Sequence, residues 1–185
     1  MGYLTRMLIE KKWRENGRKD ALRLARQPRP EGVAVEAGLA YLPDGDPMHT
    51  LNLYRPEGAQ GPLPTVVDIH GGGWMYGDRE LNRNYCMALA AQGYAVMGMS
   101  YRLLPQVDLR GQVQDVFASL RWLEEHGAEH GFDLSRVLLT GDSAGGHLAG
   151  LTACIQKSPA LQALYGVLPL KHEFTALAIA HGVCD

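Results

Sequence analysis

Apolar residues along this chain follow two rhythms. Val66-Val67-Asp68-Ile69, Tyr94–Ser100, Val137-Leu138-Leu139-Thr140 and Thr175–Val183 are short, nearly continuous apolar runs bounded by glycine or polar turns. That is the pattern of strands buried on both faces. Between them the spacing becomes helical. Glu80–Gln92 carries Tyr85, Cys86, Leu89 and Ala90 and stops at Gly93, and Val107–His126 carries Val113, Val116, Phe117, Leu120 and Leu123. Further helices are predicted over Gly145–Ile155 and Pro159–Leu164. Upstream, Gly32–Tyr41 alternates weakly and His49–Tyr54 reads as a returning strand. Pro43-Asp44-Gly45-Asp46 supplies the turn between them. Strands alternating with helices predict an α/β fold, with a mostly parallel sheet and helices on both faces. Ligands of such sheets bind at the carboxyl ends of the strands.

The first thirty residues differ. They hold nine Lys/Arg against three acids, and Leu4, Leu8, Ile9, Trp13, Leu22 and Ala25 suggest one or two helices with an apolar stripe before Pro28 and Pro30. The expected organisation is therefore an N-terminal helical segment over 1–30, a contributor to a cap, and an α/β domain over 31–185. The helix is expected to dock on the domain with a solvated basic face.

Bulk composition narrows the function classes. At 46% hydrophobic residues the chain can bury a core. A formal net charge of −2 predicts no general nucleic-acid affinity. No eighteen-residue apolar run exists, and charges interrupt the N-terminus where a signal-peptide core would lie, so no stable membrane insertion and a cytoplasmic location are expected. Cys86, Cys154 and Cys184 are odd in number and widely spaced, which suits reduced, mostly buried thiols. The histidines lack metal-ligand spacing; neither a metal nor another cofactor is implied.

The chemistry sits in two glycine-rich stretches, each closing an apolar run. Gly141-Asp142-Ser143-Ala144-Gly145-Gly146 is a G-x-S-x-G turn between a strand and a helix, the context of a nucleophile elbow. A serine held there projects its hydroxyl from a strained turn. Gly141 and Gly145 leave room where strand and helix meet, and Gly146 lets the helix pack near the strand. The new helix directs free N–H groups and its positive dipole end at the site of a developing oxyanion. About seventy residues upstream, His70-Gly71-Gly72-Gly73-Trp74 follows a strand. Three successive glycines allow bare backbone to approach a reacting carbonyl, as in the HGGG-type partner of the serine elbow.

These two motifs, with Tyr101-Arg102-Leu103-Leu104-Pro105 between them, resemble the α/β-hydrolase superfamily. More narrowly they resemble its hormone-sensitive-lipase-like esterase/lipase branch, from about Leu51 to Asp185. The resemblance implies a carboxylic-ester hydrolase acting on a small-molecule ester, with Ser143 as nucleophile. The N–H groups of Gly72, Gly73 and Ala144 would form the oxyanion hole, and Gly71 would shape the loop. His70 would brace that loop, Asp142 would fix its geometry or line the acyl pocket, and Tyr101 and Arg102 would be structural, Arg102 pairing with Asp115. The oligomeric state is left open.

One departure from the family stands out. In this fold the activating acid and histidine follow the serine in the order Ser, Asp or Glu, His. Here only one further strand follows Ser143, and no histidine follows Asp185. The chain therefore reads as the N-terminal part of a longer esterase, C-terminally incomplete and inactive by itself, with the acid and base expected beyond Asp185. His147, one helical turn after Ser143, is the best substitute base within the sequence, but it reads more naturally as packing. Two rival functions stay open: an arylformamidase-type amidase, and a non-catalytic ligand-binding homologue that keeps the pocket without the triad.

Overall fold

The computed structural model describes residues 3–183. The side chain of Leu4, together with Cys184 and Asp185, lies outside the described part. Six strands form one sheet in the order β1-β2-β4-β3-β5-β6. They are β1 (Val33–Ala40), β2 (Thr50–Pro56), β3 (Leu63–Ile69), β4 (Ala95–Met99), β5 (Phe132–Asp142) and β6 (Phe174–Ala180). β2 runs antiparallel to both its neighbours, whereas β4, β3, β5 and β6 are mutually parallel. The predicted α/β fold class is the one observed.

Both faces of the sheet are covered, and the period of two along each strand decides which residue goes where. Leu51, Leu53, Val67, Ile69, Met97, Met99 and Leu139 point into a core completed by α3 (Leu109–His126) and α4 (Ala144–Lys157). Tyr54, Val66 and Val96 point the other way, onto Cys86, Met87 and Ala90 of α2 (Arg83–Ala91). Asp108 caps α3 by accepting the Gly111 N–H at 2.9 Å, a contact worth about 1 kcal/mol. The short α5 (Pro159–Tyr165) starts at Ser158 and stops at Gly166 in the left-handed conformation.

Three expectations need correcting. The helix predicted from Glu80 begins at Arg83, because residues 78–83 form turns closed by Leu81 N–H to Asp78 O and Arg83 N–H to Glu80 O. Cys86 is buried but Cys154 is exposed on α4, so the thiols are not uniformly internal. The third concerns α1 (Tyr3–Arg26), a single helix whose predicted stripe is only partly its packing face. Leu8 and Leu22 are 68% and 60% exposed. Contact is made instead through Trp13, Gly17 and Asp20, one turn apart on the helix. Trp13 stacks on Tyr76 with ring centroids 5.3 Å apart, and Tyr76 Oη donates to Asp20 at 2.9 Å.

β6 lies at the edge of the sheet, and each of its residues after Phe174, up to Ala180, is exposed. Beside it a cavity of about 650 Å3 runs between β6 and α4, lined by His147, Leu151, Cys154, Leu177 and Ile179. Among the described residues no helix is long and apolar enough to cross a membrane.

Candidate active site

Adjacency of β3 and β5 creates the site. Ile69 pairs with Gly141 across the sheet, so the glycine loop that leaves β3 and the serine turn that leaves β5 emerge side by side at the carboxyl end. Ser143 occupies φ 50°, ψ −116°, a backbone state that costs a non-glycine residue on the order of 1–3 kcal/mol. It is held there on both sides. The Ser143 N–H donates to Ala180 O of β6 at 2.9 Å, and the Ser143 carbonyl accepts the His147 N–H at 3.0 Å to open α4. Gly145 shows why the turn needs glycine: a Cβ there would lie 1.9 Å from Ile69 O. A Cβ on Gly141 would meet the Gly145 carbonyl at 2.5 Å. Ala144 is the first helical residue, so its N–H has no acceptor within α4.

The glycine loop is braced from below. His70 is buried, stacks on Tyr101 with centroids 4.4 Å apart, and places Nδ1 2.7 Å from Gly71 O. A carbonyl can only accept, so Nδ1 carries the proton. Burial lowers the His70 pKa, which keeps the ring neutral and suits a brace better than an acid–base group. Tyr101 Oη donates to His70 O at 2.9 Å. The chain then turns sharply: Gly72 has φ 109°, and its carbonyl accepts N–H groups from both Met75 and Tyr76 at 3.1 Å. Trp74, at φ 61°, is pinned through its carbonyl by the Leu104 N–H and by Gln112 Nε2. The Tyr101–Pro105 segment is thus a buttress for the loop. Its Arg102 pairs with buried Asp115 at 2.6 Å, and Asp115 also meets His49 Nε2 at 3.2 Å.

Asp142 links the two motifs. Its Oδ1 accepts the Gly71 N–H and the Asn82 Nδ2–H, each at 2.9 Å. Gly71 thereby commits its N–H to the frame, whereas Gly72 and Gly73 extend the loop beyond it. The same Asn82 amide donates to Asp68 Oδ2 at 3.1 Å. Asp68 is buried on β3, and burial pushes its pKa up to about 7, Asp142 adding to the rise. The Cys86 thiol, pushed up by burial, lies next to the same carboxylate, whose charge adds to that rise.

The sequence did not single out Asn82, Asp68, Gln112 or Tyr76. The one available signal was an aspartate inside the apolar run Val66–Ile69. Helix α1 reaches the glycine motif: a Cβ on Gly73 would meet the Trp13 ring at 2.6 Å. Trp13 therefore lies directly over the glycine loop, beside a cavity of about 330 Å3 shared with Tyr76 and Leu81. His147 packs edge-on against Trp74 at 5.5 Å, and its Nδ1 is buried without a partner among the described residues. Burial lowers its pKa. The ring contact that His147 makes is with a tryptophan.

The BD-FAE family model matches residues 51–180, both glycine motifs included. The chain belongs to the BD-FAE family. Its relatives are hormone-sensitive-lipase-like esterases of α/β-hydrolase fold. It is 38% identical to Esterase LipI of Mycobacterium tuberculosis over 51% of its own length and 30% of the relative's. It is 32% identical to the versiconal hemiacetal acetate esterase of Dothistroma septosporum over 83% and 46%. The crystal structure of Esterase B from Lactobacillus rhamnosis superimposes with a TM-score of 0.95 at 56% identity, covering 97% of this BD-FAE chain and 57% of that one. The chain thus spans about a third to just over half of the length of these relatives.

Proposed function

We propose that this chain carries the nucleophile and the oxyanion hole of a serine carboxylic-ester hydrolase. Ser143 Oγ attacks the ester carbonyl, and the carbonyl oxygen takes up negative charge among the N–H groups of Gly72, Gly73 and Ala144. Collapse of the tetrahedral species breaks the bond to the alcohol and leaves the acyl group on Ser143, which water then removes. Each such donor typically contributes about 3 kcal/mol to the transition state. In this reading a histidine oriented by a carboxylate activates Ser143, in the order Ser, Asp or Glu, His that this fold uses. Residues 1–30 contribute a cap to the hydrolase domain of 31–185, with Trp13 as its contact over the glycine loop. A small or medium acyl ester is the substrate class, in keeping with the tributyrin phosphonate that inhibits Esterase B.

The observation that carries this reading is the Ser143 backbone, held at positive φ opposite the glycine loop. A binding module has no use for a strained turn at that position. The test is ester turnover by the enzyme that contains this chain. Ser143→Ala should lower kcat on a nitrophenyl butyrate by about 10^3-fold or more, and a fluorophosphonate should add one adduct mass at Ser143. Unchanged turnover in that variant would remove the serine mechanism. Saturable ester binding without labelling would favour the non-catalytic homologue, and preference for N-formyl aromatic amides would favour the amidase.

A further inference from the structure

Asn82 sits where nothing in the serine mechanism calls for a residue. It is the residue just before α2, on the loop that returns from the glycine motif, and its side chain caps no helix N–H. Instead both protons of its amide are directed at carboxylates on different strands. One goes to Asp142 Oδ1 at 2.9 Å, at the end of β5, and the other to Asp68 Oδ2 at 3.1 Å, on β3. Asp142 Oδ1 also receives the Gly71 N–H at 2.9 Å. Ser143 is the next residue in the chain, and Gly72 the next after Gly71. These four groups therefore form a short bridge beneath the site, from the nucleophile turn to the start of the oxyanion loop.

We propose that Asn82 is a positioning residue that sets the spacing between the serine turn and the glycine loop by bridging Asp68 and Asp142; this rests on the serine-esterase reading. The physical reason is that two carboxylates so placed repel each other, and a neutral double donor between them offsets that repulsion. Asp68 has few other ways to be satisfied, since it is 2% exposed and lies between Asn82 and the Cys86 thiol. Anchored on Asp68, the amide fixes Asp142 in the orientation that accepts Gly71. Without it, Asp142 can turn away, the Gly71 N–H loses its acceptor, and the loop gains freedom relative to Ser143. A loss of a few tenths of an ångström in alignment reduces transition-state stabilisation more than substrate binding, because the oxyanion forms only in the transition state.

The test uses the enzyme containing this chain, with butyrate-ester kinetics normalised to active sites titrated by a fluorophosphonate, so that unfolded protein is not counted. Asn82→Ala is expected to lower kcat per titrated site by 10- to 100-fold with KM within about threefold. Asn82→Ser, which keeps one donor, should fall between Asn82→Ala and wild type. Asn82→Asp places a third carboxyl against Asp68 on β3 and Asp142 on β5, near Tyr85 and Cys86 of α2. Its turnover should be lowest at neutral pH and recover as pH falls, a profile that wild type does not share. Equal kcat per site across the series, or a rise in KM alone, would overturn the positioning role. If Asn82→Ala yields no folded enzyme, the serine and aspartate variants decide. Turnover that survives Ser143→Ala would instead overturn the esterase reading, which keeps the two failures apart.

Discussion

At the scale of single residues, Gly145 and Gly45 are both needed as glycines, but for unrelated reasons. Gly145 has an ordinary helical backbone; what excludes a side chain is Ile69 O, 1.9 Å from its would-be Cβ. That oxygen belongs to the backbone of a central strand and cannot swing aside. Gly45 lies in an open turn at φ 78° with nothing nearby, so alanine there meets only local backbone strain. Gly145→Ala should therefore cost about 3 kcal/mol or more, and Gly45→Ala only about 1–2 kcal/mol. Urea unfolding of the two variants checks the order, and equal losses would remove the close-approach account of the turn. Asp68 leads to a prediction in pH. Its carboxyl titrates near 3.8 when unfolded and near 7 when folded. Between those values the folded state binds more protons than the unfolded state, so this group makes stability fall as pH rises from about 4 to about 7. The slope is at most about 1.4 kcal/mol per pH unit. Asp68→Asn should flatten that part of the stability profile, measured by denaturant melts across the range; an unchanged profile would mean that Asp68 is not the titrating group.

Secondary-structure elements were legible in proportion to how completely they are buried. β3, β4 and β5 lie inside the sheet, so their apolar runs had few competing readings, and a glycine motif marked where β3 and β5 stopped. The site followed because both glycine motifs close such strands. Helix α1 was harder, since its packing face is not its apolar face. Trp13, Gly17 and Asp20 make or border its contacts with Tyr76, and two of those three residue types carry no hydrophobic signal. Counting apolar positions therefore pointed partly to Leu8 and Leu22, which face solvent. The Asp68–Asn82–Asp142 bridge was out of reach for another reason. It depends on β3 lying beside β5 and on the return loop passing under both, and neither adjacency is encoded by local periodicity. An acid within Val66–Ile69 could flag Asp68 as unusual, but not name its partner.

For the whole molecule, the sheet is unevenly protected. β1 at one edge is followed by a bulged pairing with β2, where the register shifts between Glu36 and Leu39, and it carries Glu36 on its exposed surface. β6 at the other edge has no charged residue between Phe174 and Ala180. Its outer backbone groups and its side chains, among them Leu177 at 42% exposure, face open space next to the apolar cavity against α4. A flat, uncharged apolar edge is a template for another strand. Expressed as these 185 residues, the chain is expected to self-associate through β6, in a manner that increases with concentration. Ala176→Lys and Leu177→Lys place one charge on each face of that strand, where pairing would have to bury it. Both should shift sedimentation toward the monomer without lowering the unfolding midpoint by much, since neither residue is in the core. A monomeric parent chain at tens of micromolar would remove the premise. Association that the two lysines leave unchanged would place the seam elsewhere, with the exposed face of α1 the next surface to probe.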